Sequence, residues 1–314
     1  MASKRKIWRI IRNVVLILAV LATGFFFLFV PWFFANIVTT GHYHYPDPND
    51  GKTPKSYGFN FKWIEFPSSD GVALKGWYVP ATGAVRGTIV YCHGLNRTRT
   101  EMLPMAAFGH ELGYDGLLFD LRHEGASGGE LTTLGYKERL DVIGAVRYAL
   151  YQQHAARPVI LWGISMGASA ALMAAAELPD VAAVISDSSF LSLRATVEHH
   201  WKLFFHLPSF PFANEIVYWI AWRGGFRPSD FNLLDAVARI GNRPILFVAV
   251  QDDRRMPPSI AQALYAHAAN PHKALIVLSG HRHGEGFNQA TEQYEIAVKQ
   301  FLSGLAMPQP PTTP

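Results

Sequence analysis

From position 159 to 177 the chain reads VILWGISMGASAALMAAAE. A strand-like apolar run becomes an alanine-rich helix former within one turn, and the junction is Gly163-Ile164-Ser165-Met166-Gly167. Few folds accept that junction. A helix that starts off the end of a buried strand must fold back across it. Side chains at both flanking positions would collide, and glycine removes them. The serine is left on a sharp turn, its hydroxyl above the sheet edge. There it faces the N-terminal end of a helix, where negative charge is favoured. The segment demands a parallel sheet covered by helices.

The rest of the chain fits that demand. FKWIEFPSSDGVALKGWYVP alternates apolar and polar residues around Ser-Ser-Asp-Gly, which predicts a hairpin over about 62–66 and 73–79. Short apolar runs follow at 87–92, 116–121, 159–163, 181–186, 245–250 and 274–278. They are apolar on both faces, as in buried parallel strands. Helical patterns lie between them at about 99–112, 136–153, 166–178, 258–269 and 289–303. The expectation is an α/β domain over 61–305, with a mostly parallel central sheet and helices on both faces. The stretch 190–242 is too long for a simple crossover and is expected to be a helical cap insertion. The Pro-rich end, 306–314, is expected to be a disordered tail.

Ahead of the domain lie Lys4, Arg5, Lys6, Arg9 and Arg12, and then no charged Lys, Arg, Asp or Glu until Asp47. The run VVLILAVLATGFFFLFV at 14–30 continues through Pro31-Trp32-Phe33-Phe34 to Val38. About 20 apolar residues in a helix cross a bilayer core. Trp8 and Trp32 bracket the run as interfacial anchors do. A cleaved signal peptide and a buried core helix are the rival readings. The run is long for a signal's apolar stretch of about 7–15 residues, and no convincing small-residue cleavage site follows it. The expected order is a basic cytoplasmic segment 1–12, a transmembrane anchor 13–38 and a turn-rich linker 39–60. Positive charge keeps the N-terminus cytoplasmic and places the domain on the extracytoplasmic side.

Composition excludes several function classes. The formal net charge is +4, but the basic residues before the apolar run account for it, so no nucleic-acid footprint remains. Cys92 is the one cysteine, which rules out an intrachain disulfide and a cysteine-based zinc site. His199, His200, His206, His281 and His283 have no metal-binding spacing, so no metal and no cofactor are expected. Asn96 opens a formal glycosylation sequon, in a loop where a glycan would obstruct the site.

A serine hydroxyl needs a base, and the base an orienting acid. For this kind of turn the chain order is Ser, then Asp or Glu, then His. PILFVAVQDDRRMPP supplies Asp252 and Asp253, ALIVLSGHRHGEGF supplies His281 and His283, and ISDSS adds Asp187. All follow expected strands, where open α/β sheets place their sites.

At this level the sequence resembles the α/β-hydrolase family, in particular its serine-aminopeptidase and monoacylglycerol-lipase-like branch, over about 61–302. IVYCHGLNRTRTEM looks like the family's strand and His-Gly oxyanion loop. LLFDLRHEGASGGELTTLGYKERLD looks like its Asp-x-Arg-x-x-Gly-x-Ser turn. GISMG matches its nucleophile turn, QDDRRMPP its Asp-x-x-Val-Pro pattern with Met256 for valine, and SGHRHGEG its Gly-x-x-His ending. The resemblance implies Ser165 as nucleophile, Asp253 as acid and His283 as base, with Asp252, Asp187 and His281 as runners-up. It implies backbone N–H groups of Leu95 and Met166 as the oxyanion hole. His93 is expected to be structural, and Asp120 and Arg122 to form an ion pair within their loop. The implied activity is hydrolysis of an acyl ester, thioester or amide carried by a small-molecule or lipid-like substrate. An aminopeptidase-type enzyme, or an inactive hydrolase-like binding protein, are the alternatives.

Overall fold

The computed structural model describes residues 2–305, so the expected tail at 306–314 lies outside them. An N-terminal helix runs through α1 (Ala2–Gly24), a π-helical stretch (Phe25–Phe29) and α2 (Val30–Thr40). Then come β1 (Lys62–Pro67), β2 (Ala73–Val79), β3 (Gly87–Cys92), α3 (Leu103–Glu111), β4 (Tyr114–Phe119) and α4 (Glu138–Tyr151). The centre of the chain gives β5 (Val159–Ile164), α5 (Met166–Glu177), β6 (Val181–Asp187), α6 (Leu193–Phe205), α7 (Phe212–Gly224) and α8 (Leu233–Arg239). It ends in β7 (Ile245–Val250), α9 (Pro258–His267), β8 (Ala274–Leu278), α10 (Gly286–Gln289) and α11 (Thr291–Ser303).

The strands form one sheet in the order β1-β2-β4-β3-β5-β6-β7-β8. The expected hairpin pairs antiparallel from Lys62 opposite Tyr78 to Pro67 opposite Ala73. β2 is antiparallel to β4, and every later pairing is parallel. β3, β4, β5 and β7 are buried along their whole length, which is why they read as unbroken apolar runs. Each face of the sheet carries its own core. Phe66, Val90, Leu117 and Leu161 pack on one side, and Trp77, Tyr91, Leu118 and Trp162 on the other. From β3 the chain steps to β4 on one side and returns to β5 on the other. The crevice between β3 and β5 is therefore a topological switch point, and the loops after both strands open into it.

Three boundaries differ from expectation. The strand expected at 116–121 sits two residues earlier, because Leu121 N–H turns out of the sheet to donate to His93 Nε2 (2.9 Å). The helix expected from 99 opens as a 3-10 turn, Arg99–Met102, and becomes α-helical where Pro104 occupies the first turn, a position that needs no N–H. The last helical pattern is broken at Ala290, whose backbone leaves helical geometry.

Within 190–242, α8 lies against α5 and acts as the crossover helix between β6 and β7, while α6 and α7 pack together over the site. α7 runs alongside α2: Phe212 stacks on Phe27 (6.0 Å between centroids), and Arg223 Nε donates to Thr39 Oγ1 (2.9 Å). The turn-rich stretch after Thr40 is also docked. Tyr45 N–H donates to Asn96 O, and Arg97 donates to Pro46 O (2.8 Å).

α5 meets the end of β3 closely at Gly167, where a Cβ would overlap the Cys92 and His93 carbonyl oxygens. Gly167→Ala should therefore cost roughly 1–3 kcal/mol of stability by overpacking. Thermal unfolding in detergent measures it; an unshifted midpoint contradicts the tight crossing of α5 over β3.

Candidate active site

Ser165 sits at the β5–α5 junction with φ 54° and ψ −114°, a conformation non-glycine residues rarely adopt. Its surroundings hold it there. Ser165 N–H donates to Asp187 O (2.8 Å), at the end of the neighbouring β6. Ser169 Oγ donates to Ser165 O (3.0 Å) and accepts from Phe190 N–H (3.0 Å), tying α5 to the loop after β6.

Two residues from later loops meet the serine. His283 Nε2 lies 2.8 Å from Ser165 Oγ, and His283 Nδ1 lies 2.7 Å from Asp253 Oδ2. The other oxygen of Asp253 accepts the N–H groups of Arg255 (2.8 Å) and Met256 (3.0 Å), so the carboxylate is fixed in orientation. Burial pushes the Asp253 carboxyl up. The His283 hydrogen bond and charge and these N–H groups outweigh it and hold the group below its ordinary value. The runners-up are elsewhere: Asp252 and His281 are exposed. Asp187 is buried and engages Ser188 (2.8 Å), while its Oδ2 has no hydrogen-bond partner among the described residues. Burial raises its carboxyl to about 6. The histidine loop is itself held by Gln289 Oε1, which accepts His281 N–H (2.8 Å).

Above Ser165 lies the loop after β3. Gly94 N–H donates to Glu101 Oε2 (2.7 Å) and Asn96 N–H to Glu124 Oε1 (2.9 Å). The N–H between them, that of Leu95, has no acceptor among the described residues, and neither has that of Met166. Burial drives Glu101 up to about 7 and Glu124 up to about 8. His93 is fully buried and structural: Nε2 accepts from Leu121, so Nδ1 donates to Gly94 O (2.8 Å).

Ser165 opens into a cavity of about 420 Å³. Its walls are largely apolar, from Leu134 and Phe190 through Trp201, Phe204 and Phe205 of α6 to Phe34, Ile37 and Val38 of α2. Arg255 is the one Lys, Arg, Asp or Glu on the lining, and its guanidinium has no ion-pair partner among the described residues. His200 lines the same space. Burial, helped by the Arg255 and His199 charges, pushes its imidazole down to about 3, so it stands neutral.

Comparison with known proteins agrees with this fold. A family model described as serine aminopeptidase, S33, matches residues 83–222. A Pyrococcus furiosus esterase, Pf2001, superposes with a TM-score of 0.69 at 26% identity, covering 83% of this chain and 97% of that one. The chain has the α/β-hydrolase fold. Its sequence is also similar to YqkD of Bacillus subtilis, 29% identical over 76% of this chain and 78% of that protein. An uncharacterized membrane protein of Saccharomyces cerevisiae, YNL320W, is 22% identical over 81% of this chain and 84% of its own length.

One expectation is overturned: Asp120 and Arg122 do not pair. Asp120 takes the Arg99 guanidinium (2.5 Å) and the N–H groups of Arg99 and Ala126, which close the loop around it. Arg122 points the other way, bridging Asp141 (2.7 Å) and Asp70 (2.6 Å). The sequence patterns give no site role to Glu101, Glu124, Gln289 or Arg255, and His200 figures there only as a histidine without metal-binding spacing. Only Arg255 left a trace, as a cation between the acid candidates and Pro257.

The acid assignment is open to a direct comparison. Asp253→Asn should leave His283 in the wrong tautomer and lower kcat on the order of 10⁴-fold, as in serine proteases. Asp187→Asn should cost far less activity. It should also change the pH dependence of stability. With its carboxyl raised, the native state binds the extra proton between about 3.8 and about 6, so Asp187 loses stabilisation as pH rises through that window. The asparagine variant should gain on the parent from pH 4 to pH 7, by on the order of 3 kcal/mol at most. A crippled Asp187→Asn beside an active Asp253→Asn reverses the assignment.

Proposed function

We propose that the chain is a membrane-anchored serine hydrolase that cleaves acyl esters. The observation that carries this reading is the continuous contact Ser165–His283–Asp253, at 2.8 and 2.7 Å, opening into an apolar cavity. Ser165 Oγ attacks the acyl carbonyl carbon while His283 Nε2 takes the hydroxyl proton. Asp253 accepts from Nδ1–H, holding the tautomer and stabilising the imidazolium. The oxyanion draws on the N–H groups of Leu95 and Met166. Collapse breaks the ester C–O bond, and the alcohol leaves with the proton from His283. Water then gives a proton to His283 and attacks the acyl-serine. The carboxylic acid departs and Ser165 regains its proton. No cofactor takes part in these steps.

The lining favours an ester over an aminopeptidase substrate. A free α-ammonium needs a carboxylate, whereas the charged side chain on the cavity wall is Arg255, and Glu101 is turned to Gly94 behind the loop. The basic N-terminal segment supports a cytoplasmic N-terminus, with the hydrolase domain on the other side of the membrane. Packing of α2 on α7 supports a retained anchor, since cleavage would uncover the buried Ala35 and Thr39 face.

Ser165→Ala should fold normally and lose on the order of 10³–10⁶ in kcat against p-nitrophenyl esters. The parent chain, and not the variant, should react with a fluorophosphonate probe. Undiminished esterase activity in the pure variant would sink the mechanism.

A further inference from the structure

The last turns of the N-terminal helix present two different faces. Pro31, Ala35 and Thr39, four residues apart, are buried, and this helix packs on α7. Phe34, Ile37, Val38 and Gly41 follow the i, i+3, i+4, i+7 spacing of a second stripe, and all four line the cavity that holds Ser165. A tether needs only length and apolarity. This one supplies a wall of the catalytic pocket.

The cap continues that wall toward the bilayer. Phe34 packs edge-on against Trp201 (5.6 Å) and Phe205 (5.2 Å) of α6. Phe204 and Phe205, at the far end of α6, line the same cavity as Ser165. Counted from Asn13, about 20 helical residues at about 1.5 Å each cross the hydrocarbon and end near Phe33. Phe212 stacks on Phe27, so the start of α7 lies at the depth of the lipid chains. The tip joining α6 to α7 exposes Phe204 (58%), Leu207 (48%) and Phe210 (78%). That apolar surface suits the bilayer that the helix position gives it.

We propose that the cavity takes the acyl chain of a bilayer lipid ester, admitted between the anchor helix and the cap tip, with the ester carbonyl brought to Ser165. The proposal rests on the serine-hydrolase reading above and names its substrate class. The chain lies along Phe34, Ile37, Val38 and Phe204. The polar lining, Asn96, His200 and Arg255, lies with Ser165 on the same cavity and receives the ester and its headgroup.

Two measurements on the full-length protein in phospholipid nanodiscs test it. In the first, Ser165→Ala is photolysed with a palmitoyl phospholipid carrying a diazirine at the chain end, and labelled residues are mapped by mass spectrometry. Labels on Phe34 or Val38, which line the cavity, are expected. Labels confined to residues 13–29 overturn the proposal, because the chain then stays in the bilayer. In the second, Val38→Trp narrows the cavity, and kcat/KM is compared for p-nitrophenyl palmitate and acetate. Each methylene kept from burial is worth roughly fourfold, so the palmitate-to-acetate ratio should fall tenfold or more. An unchanged ratio overturns the proposal while leaving the hydrolase reading intact. If that reading is the one at fault, the parent chain cleaves neither ester and resists fluorophosphonate. The photolabelling, which needs no turnover, still decides whether a chain occupies the cavity.

Discussion

The backbone at Ser165 is the constraint from which the site is built. Holding a serine at φ 54° and ψ −114° costs roughly 1–3 kcal/mol, and such a residue persists only where its surroundings over-determine it. Here they do so from three directions. Gly163 and Gly167 let α5 cross against the ends of β3 and β5, the Ser165 N–H is tied to β6, and Ser169 holds the turn to the following loop. The crossing also brings the first N–H of α5 toward the loop after β3. Glu101 and Glu124 take the N–H groups on either side of Leu95 and so leave that one free. Two largely buried carboxyls with raised values are the energetic counterpart of that arrangement.

Neighbouring acidic residues in this molecule do unlike work because the chain direction alternates around them. Asp252 N–H bonds to Gly280 O and its side chain is exposed, whereas Asp253 turns inward and is held by two N–H groups and a histidine. Asp187 is closer to the serine along the sheet, yet its backbone carbonyl, not its carboxylate, serves Ser165. Removing one partner from the buried Arg122–Asp141 pair would strand a charge in the core, a cost on the order of 3–5 kcal/mol. That pair pins the loop after β4 to α4, leaving Asp120 free to organise the turn around Arg99.

Much of this was legible in the sequence because a few patterns admit few structures. The glycine spacing around Ser165 allows little but a strand-to-helix crossing, and apolar runs without alternation mean covered parallel strands. What was not legible depends on partners far apart in sequence. Arg122 sits two residues from Asp120, and nothing local says that its carboxylates come from Asp70 and Asp141 instead. Glu101 and Glu124 look like ordinary surface acids until the loop between β3 and α3 folds over them. Boundaries slipped where a side chain or a proline competes with the backbone pattern, as at Leu121 and Pro104.

The N-terminal run shows the same limit in another form. Nearly every residue in it is apolar, Asn36 being the main exception, so hydropathy does not separate the face that packs on α7 from the others. The separation is carried by size. Ala35 and Thr39 are small enough for α7 to come close, and Thr39 also reaches Arg223 and, through its carbonyl, Thr132 N–H. The large residues Phe34, Ile37 and Val38 fall on the adjoining stripe and are left to line the cavity. Length and apolarity alone do not require those two stripes to keep register with the cap. Their register over the last three turns makes this helix part of the α/β domain's own packing.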